Sequence, residues 1–212
     1  MTVLLTNLRY AIVSGLVLAL VIYVVSAFLF GGSPNRTTAS FWLYPVRWAH
    51  ILSGILWIGL LYYFNVVQTP MMAKIPDEQK PAVSKFIAPE ALWYFRWGAM
   101  ATVVFGLILA ALNKYLIGSL TLGASEGFSP DSAPHILIGI GMWLAIIMWF
   151  NVWFVIWPNQ QRALNIENRY PDLTKDQRGA HGRTAGLFSR VNFVLSMPML
   201  LCMVGASHFS IA

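Results

Sequence analysis

Residues His50 to Asn65 read HILSGILWIGLLYYFN, an apolar run that carries no charged side chain after its opening histidine. A run of this kind, extended through its apolar neighbours from Trp42 to Gln68, is long enough to cross a hydrocarbon layer of roughly 30 Å as a helix. Nearly the same text returns 85 residues later, where His135 to Asn151 read HILIGIGMWLAIIMWFN. The rest of the chain agrees with a lipid environment. Of its 212 residues 58% are hydrophobic and 10% charged, more apolar surface than a soluble core of this length can hide. A window of about 19 residues finds spans at 10–30, 42–68, 92–112, 135–157 and 187–206. The expected fold class is therefore an all-α integral membrane protein of five transmembrane helices in a single membrane domain. Its second and third helices, and its fourth and fifth, form a tandem hairpin repeat. Val25-Ser26-Ala27 resembles a signal-peptide cleavage site, but the apolar stretch around it is too long for one, so it is read as the first helix. The longest polar stretch, Asn159 to Arg183, reads as a loop with at most a short helix before Pro171.

A pI near 9.7 raises the question of nucleic acid, and the placement of the cations answers it. Lys74, Lys80, Lys85 and Arg96 cluster between the second and third spans, and Arg162, Arg169, Lys175, Arg178, Arg183 and Arg190 between the fourth and fifth. By the positive-inside rule both loops face the cytoplasm, which puts the N-terminus inside and the C-terminus outside a bacterial inner membrane. Arg36 and Arg47 in the first outer loop run against this pattern, while the second outer loop carries only Glu126 and Asp131. The positive charge is an orientation signal, and the partner it implies is the bilayer, with no nucleic acid. Cys202 stands alone within the last span, which excludes an intrachain disulfide and a thiolate metal cluster.

This topology places His50, His135 and His208 in the outer leaflet and His181 on the cytoplasmic side, where it reads as an interfacial residue. His50 and His135 share the pattern His-Ile-Leu-x-Gly-Ile and are each followed by Phe-Asn-Val. Gly54 and Gly139 lie one helical turn from them on the same face, where the missing side chain clears a slot beside the imidazole. Two histidines at matched depth on parallel helices can bracket a b-type haem. Arg47, one turn before His50, is placed to meet a haem propionate. Asn65 lies fifteen residues after His50 and Asn151 sixteen after His135. One inserted residue turns a helix by about 100°, so a π-bulge between His135 and Asn151 is expected to absorb it. Asn65, Asn151 and Asn192 are candidates for hydrogen bonds between helices.

The stretches Asn151-Val-Trp-Phe-Val-Ile-Trp-Pro158-Asn-Gln160, Ser189-Arg-Val-Asn192-Phe-Val-Leu-Ser-Met-Pro198 and Ala206-Ser-His208-Phe resemble the membrane part of the bacterial membrane-bound urate oxidase (urate hydroxylase) family. Trp48-Ala-His50-Ile-Leu-Ser-Gly54-Ile-Leu-Trp57-Ile-Gly59 is similar to a second signature of that family. It is also similar to a wider group with haem-binding membrane protoporphyrinogen oxidases and copper-resistance membrane proteins. The resemblance runs from Trp42 to Phe209 and implies a membrane redox protein acting on a small molecule such as a purine, with His50 and His208 as the positions carried over. Two departures stand out: no Cys-x-x-Cys-His motif is present, so no built-in c-type haem relays electrons, and Val191 replaces the histidine that the family places before the residue matched by Asn192.

The leading expectation is one b-type haem held by His50 and His135, exchanging electrons with a soluble or membrane cytochrome or oxidising a small substrate, with His208 a candidate distal base. Two alternatives are a copper or zinc site built from His50, His135 and His208, and a non-catalytic subunit of a larger respiratory or oxygenase complex.

Overall fold

The computed structural model describes residues 7–30, 38–129 and 132–206. Arg36, Asp131 and His208 lie outside the described residues. The chain clusters as two units, Met1–Phe41 and Trp42–Ala212. The first contains helix α1 (Leu8–Phe30), whose apolar span has none of its residues buried within the protein, as expected of a helix surrounded by lipid.

The second unit is built on four long helices. α2 (Thr38–Tyr62) passes through a π turn at Tyr63–Gln68 into Thr69–Met72. α3 opens at Lys80–Ala82, passes a π turn at Val83–Ile87 and continues as Ala88–Leu112. The connection to the next span contains a short helix, α4 (Leu116–Leu120). α5 (Ala133–Phe150) again meets a π turn, Asn151–Ile156, before Trp157–Leu164. α6 is unbroken from Lys175 to Gly205. With α1, these give five helices long and apolar enough to cross a membrane, and the described residues contain no strand. The chain is a multi-pass all-α membrane protein.

Three features differ from the sequence reading. The spans at α3 and α6 start twelve residues earlier than their apolar windows, at Lys80 and Lys175, because hydropathy sees only the part of a helix that lies in lipid. Outside that part other forces hold the helix. Thr174 and Gln177 form a capping box, with Thr174 Oγ1 accepting from the Gln177 amide at 3.3 Å and Gln177 Oε1 from the Thr174 amide at 2.9 Å. Most of the stretch predicted as a loop, Asn159 to Arg183, is therefore helical. Arg96 likewise belongs to the third span, where its guanidinium lies 3.9 Å from the ring centre of Trp157 and 5.0 Å from that of Trp153; such contacts contribute about 0.5–2 kcal/mol each. Finally, α5 is regular up to Asn151, whose amide still reaches the carbonyls of Ile147 and Met148. The π turn begins at Asn151 itself and has a counterpart at Tyr63–Gln68 around Asn65. The extra residue in the second stretch is thus not absorbed by a bulge before the asparagine.

The pairing of α2 with α3 is set by small residues. A Cβ on Gly98 would lie 3.4 Å from the backbone nitrogen of Trp57, one on Gly54 3.8 Å from Thr102 Cγ2, and one on Gly106 2.9 Å from the His50 ring. Gly98, Thr102 and Gly106 are spaced four apart, so they form one stripe along α3 on which α2 lies antiparallel. Trp57 and Leu61, fully buried, pack with Phe95, Ala99 and Met148 into the core.

All three asparagines bond to neighbouring helices. Asn65 Nδ2 donates to Ser189 Oγ at 2.8 Å and to its own helix at the Leu61 carbonyl, 2.9 Å away. Asn151 Nδ2 donates to Asn192 Oδ1 at 2.9 Å, and Asn192 Nδ2 donates to the Met148 carbonyl, also at 2.9 Å. Both π turns are thus preceded by a carbonyl that accepts an asparagine amide, which offsets the irregular backbone bonding there. An Asn192→Leu variant is expected to lose about 1–2 kcal/mol, because Asn151 keeps its polarity without a partner. The double variant Asn151→Leu, Asn192→Leu should recover part of that loss, read as the unfolding midpoint in detergent.

Candidate functional site

His50 sits in the middle of α2, where its position is fixed from α3. Its Nδ1–H donates to the carbonyl oxygen of Thr102 at 2.8 Å. A carbonyl can only accept, so Nδ1 carries the proton and the neutral ring keeps its lone pair on Nε2. Among the described residues Nε2 has no hydrogen-bond partner. Thr102 is itself held, its hydroxyl donating 2.7 Å to the Gly98 carbonyl. Gly106 supplies the room: a methyl there would lie 2.9 Å from Cε1 and 3.1 Å from Nδ1 of His50. The slot that receives the imidazole is therefore made by Gly106 on the facing helix. Gly54, on the histidine's own helix, borders open space apart from Thr102.

His135 is built differently. It is the third residue of α5, and its Nδ1–H donates to both carboxylate oxygens of Glu126, at 2.7 and 2.9 Å. Its ring stacks on Tyr115, centroids 5.8 Å apart, and its side chain is about one third exposed (32%). Burial pushes the Tyr115 phenol upward, a rise that the charge of Arg47 partly offsets. Gly118 makes way for the Glu126 carboxylate, and Gly139 makes way for the backbone of α4: a Cβ on Gly139 would collide with the Ser119 carbonyl oxygen. Trp143 Nε1–H donates to the Leu120 carbonyl at 3.1 Å, which fixes α4 along the first turns of α5. The space beside Gly139 is thus filled by protein and holds no slot for a flat ligand.

Both histidines lie toward the same end of the bundle, but their settings differ. The helix starts differ too: α2 extends twelve residues before His50, whereas α5 begins only two before His135. The matching slots expected beside both histidines from the repeated sequence do not carry over into the fold. His181 Nδ1–H donates to Asn159 Oδ1 at 2.7 Å, far along the chain from both.

The sequence reading missed Thr102, Gly106, Tyr115 and Glu126. For the first two the signal was the Gly98, Thr102, Gly106 spacing. For the last two there was none, since only the fold of the connection between α3 and α5 brings them to His135. Among the described residues no three His, Cys, Asp or Glu side chains converge as a metal cluster. Compared with known protein families, with curated proteins and with solved structures, the chain matches none.

Proposed function

We propose that this chain is a membrane redox protein that binds one b-type haem through His50, near the face that the distribution of lysine and arginine marks as outward. The observation that carries this reading is the His50–Thr102 hydrogen bond. It fixes the tautomer with Nε2 as the donor atom and orients the ring, as a backbone carbonyl does for metal-ligating histidines in general. The open side at Gly54 leaves space next to the ring, and Arg47, one turn nearer the end of the helix, is the residue suited to a propionate. The residues present would hold such a group through His50.

Bound there, haem would supply one-electron chemistry, its potential set by His50, nearby hydrogen bonds and burial. The chain's own part is to hold the imidazole neutral and rigid and to keep the site within apolar packing. A single protein ligand suits oxidation of a small molecule, a purine among the candidates, as well as electron exchange with a cytochrome. His135, with Glu126 and Tyr115, would form the polar rim of the site. A copper or zinc centre at His50 would need two further donors, which the described residues do not bring to it.

The first test is absorbance: protein purified from haem-replete cells should show a Soret band that shifts on reduction, and a colourless protein would refute the reading. A Gly106→Ala variant should retain less haem, because its methyl pushes on Cε1 of His50. We expect about a tenfold loss of affinity, equivalent to one weakened hydrogen bond in the orienting shell, measured by haem titration.

A further inference from the structure

Arg96 is the only charged residue in the apolar stretch from Leu92 to Leu112. An ionisable side chain inside a lipid-spanning helix is costly and calls for a partner. Three indoles supply part of one: the guanidinium carbon lies 3.9 Å from the ring centre of Trp157, 5.0 Å from that of Trp153 and 5.8 Å from that of Trp97. Aromatic faces attract the charge, but the five N–H donors of a guanidinium point outward in its own plane and need acceptor atoms. Among the described residues Arg96 forms no hydrogen bond and no ion pair, although Glu90 stands on the same helix. Its Nε is sealed within the protein, whereas the two terminal nitrogens, with the other four N–H groups, are not. Beside them the surface is aromatic and open. Trp97 packs across to Trp153 of α5 with ring centres 5.3 Å apart, and it forms a further ring pair with Trp93, each of the two being nearly half exposed.

We infer that Arg96 and its indoles form a site for one anionic phospholipid, whose phosphodiester oxygens accept from the terminal N–H groups of Arg96 while its chains lie along Trp97 and Trp93. The unanswered charge argues for the phosphate, since a guanidinium is a fork that matches two oxygens of one phosphate. The surroundings argue for a lipid over free phosphate: rings exposed on a membrane-spanning helix face the bilayer, and tryptophans gather at headgroup level. A zwitterionic headgroup carries its own cation, which competes for the phosphate, so an anionic headgroup fits better. The site does not involve His50, and its test is independent of haem.

The test uses the full-length protein in detergent, stripped of lipid, with dioleoyl phosphatidylglycerol as the anionic probe and dioleoyl phosphatidylcholine as the zwitterionic one, and counts bound lipid by native mass spectrometry. The expected result is a first phosphatidylglycerol bound at least about tenfold more tightly than phosphatidylcholine, the worth of one hydrogen bond to a charged group. Arg96→Gln should erase that preference. Arg190→Gln, which removes an exposed cation of α6 that stacks on no ring among the described residues, should leave it in place. Trp157→Leu withdraws the ring nearest the guanidinium and should weaken phosphatidylglycerol binding by about threefold or more; it serves as the second variant if Arg96→Gln does not fold. Excess inorganic phosphate should not displace the lipid. Equal affinity for the two lipids would overturn the inference, as would a preference that survives Arg96→Gln, wild-type binding in Trp157→Leu, or displacement by inorganic phosphate. An equal loss in Arg190→Gln would also overturn it, because net charge alone would then explain the effect.

Discussion

A His50→Ala variant should fold and insert like the parent protein yet purify without visible absorbance, whereas His135→Ala should keep its Soret band. The two substitutions look equivalent in sequence, since each removes the histidine of a His-Ile-Leu-x-Gly-Ile stretch. The fold separates them. The His50 ring has a neutral Nε2, a backbone carbonyl on Nδ1 and a glycine that makes room for it on the facing helix. Without that imidazole the iron would have no ligand from α2. His135 is engaged by Glu126 and Tyr115 in the first turn of α5. Losing it would remove a hydrogen bond to a carboxylate at a partly exposed rim, worth about 1 kcal/mol. Loss of the band in His135→Ala with its retention in His50→Ala would reverse the assignment.

The second large effect concerns the paired glycines. Gly139→Ala is expected to destabilise the protein by about 3 kcal/mol, near the upper end of ordinary overpacking costs. The new methyl meets the Ser119 carbonyl, which is backbone, and Leu122 Cδ2 at 3.0 Å. α4 cannot simply retreat, because Trp143 holds it through the Leu120 carbonyl. Gly54→Ala should change stability by about 0.5 kcal/mol at most, as its methyl would meet only Thr102 Cγ2 at ordinary contact distance. Thermal unfolding followed by near-ultraviolet circular dichroism would compare them. Equal costs at both positions would show that α4 does not lie against α5 as described.

The lipid-spanning character was legible in the sequence because a bilayer imposes length and composition together, and few soluble segments satisfy both. The asparagine contacts were legible for a related reason, since an amide in a lipid-spanning helix has to find a partner. What could not be read was the setting of each histidine. A repeated sequence fixes which residues follow a histidine but not where its helix begins, and α5 starts ten residues closer to its histidine than α2 does. The role of Gly139 was hidden in the same way: its neighbour Ser119 belongs to α4, a helix of five residues that no apolar window detects. The early start of α6 escaped because a capping box, rather than hydropathy, holds its first turn, and that of α3 because it begins in a polar turn beside the Lys80–Asp77 ion pair. Thr102 and Gly106 were within reach, since a Gly98, Thr102, Gly106 stripe marks the face of α3 that accepts another helix, and that face receives the only histidine inside α2.

The claim that His50 is a haem ligand is tested most directly by the oxidised and reduced absorption spectra of wild-type protein purified from haem-replete cells, with haem and protein quantified on the same sample. The account predicts about one haem per chain and a Soret band that moves on reduction. A protein that is fully folded by circular dichroism and carries no haem under those conditions would contradict it.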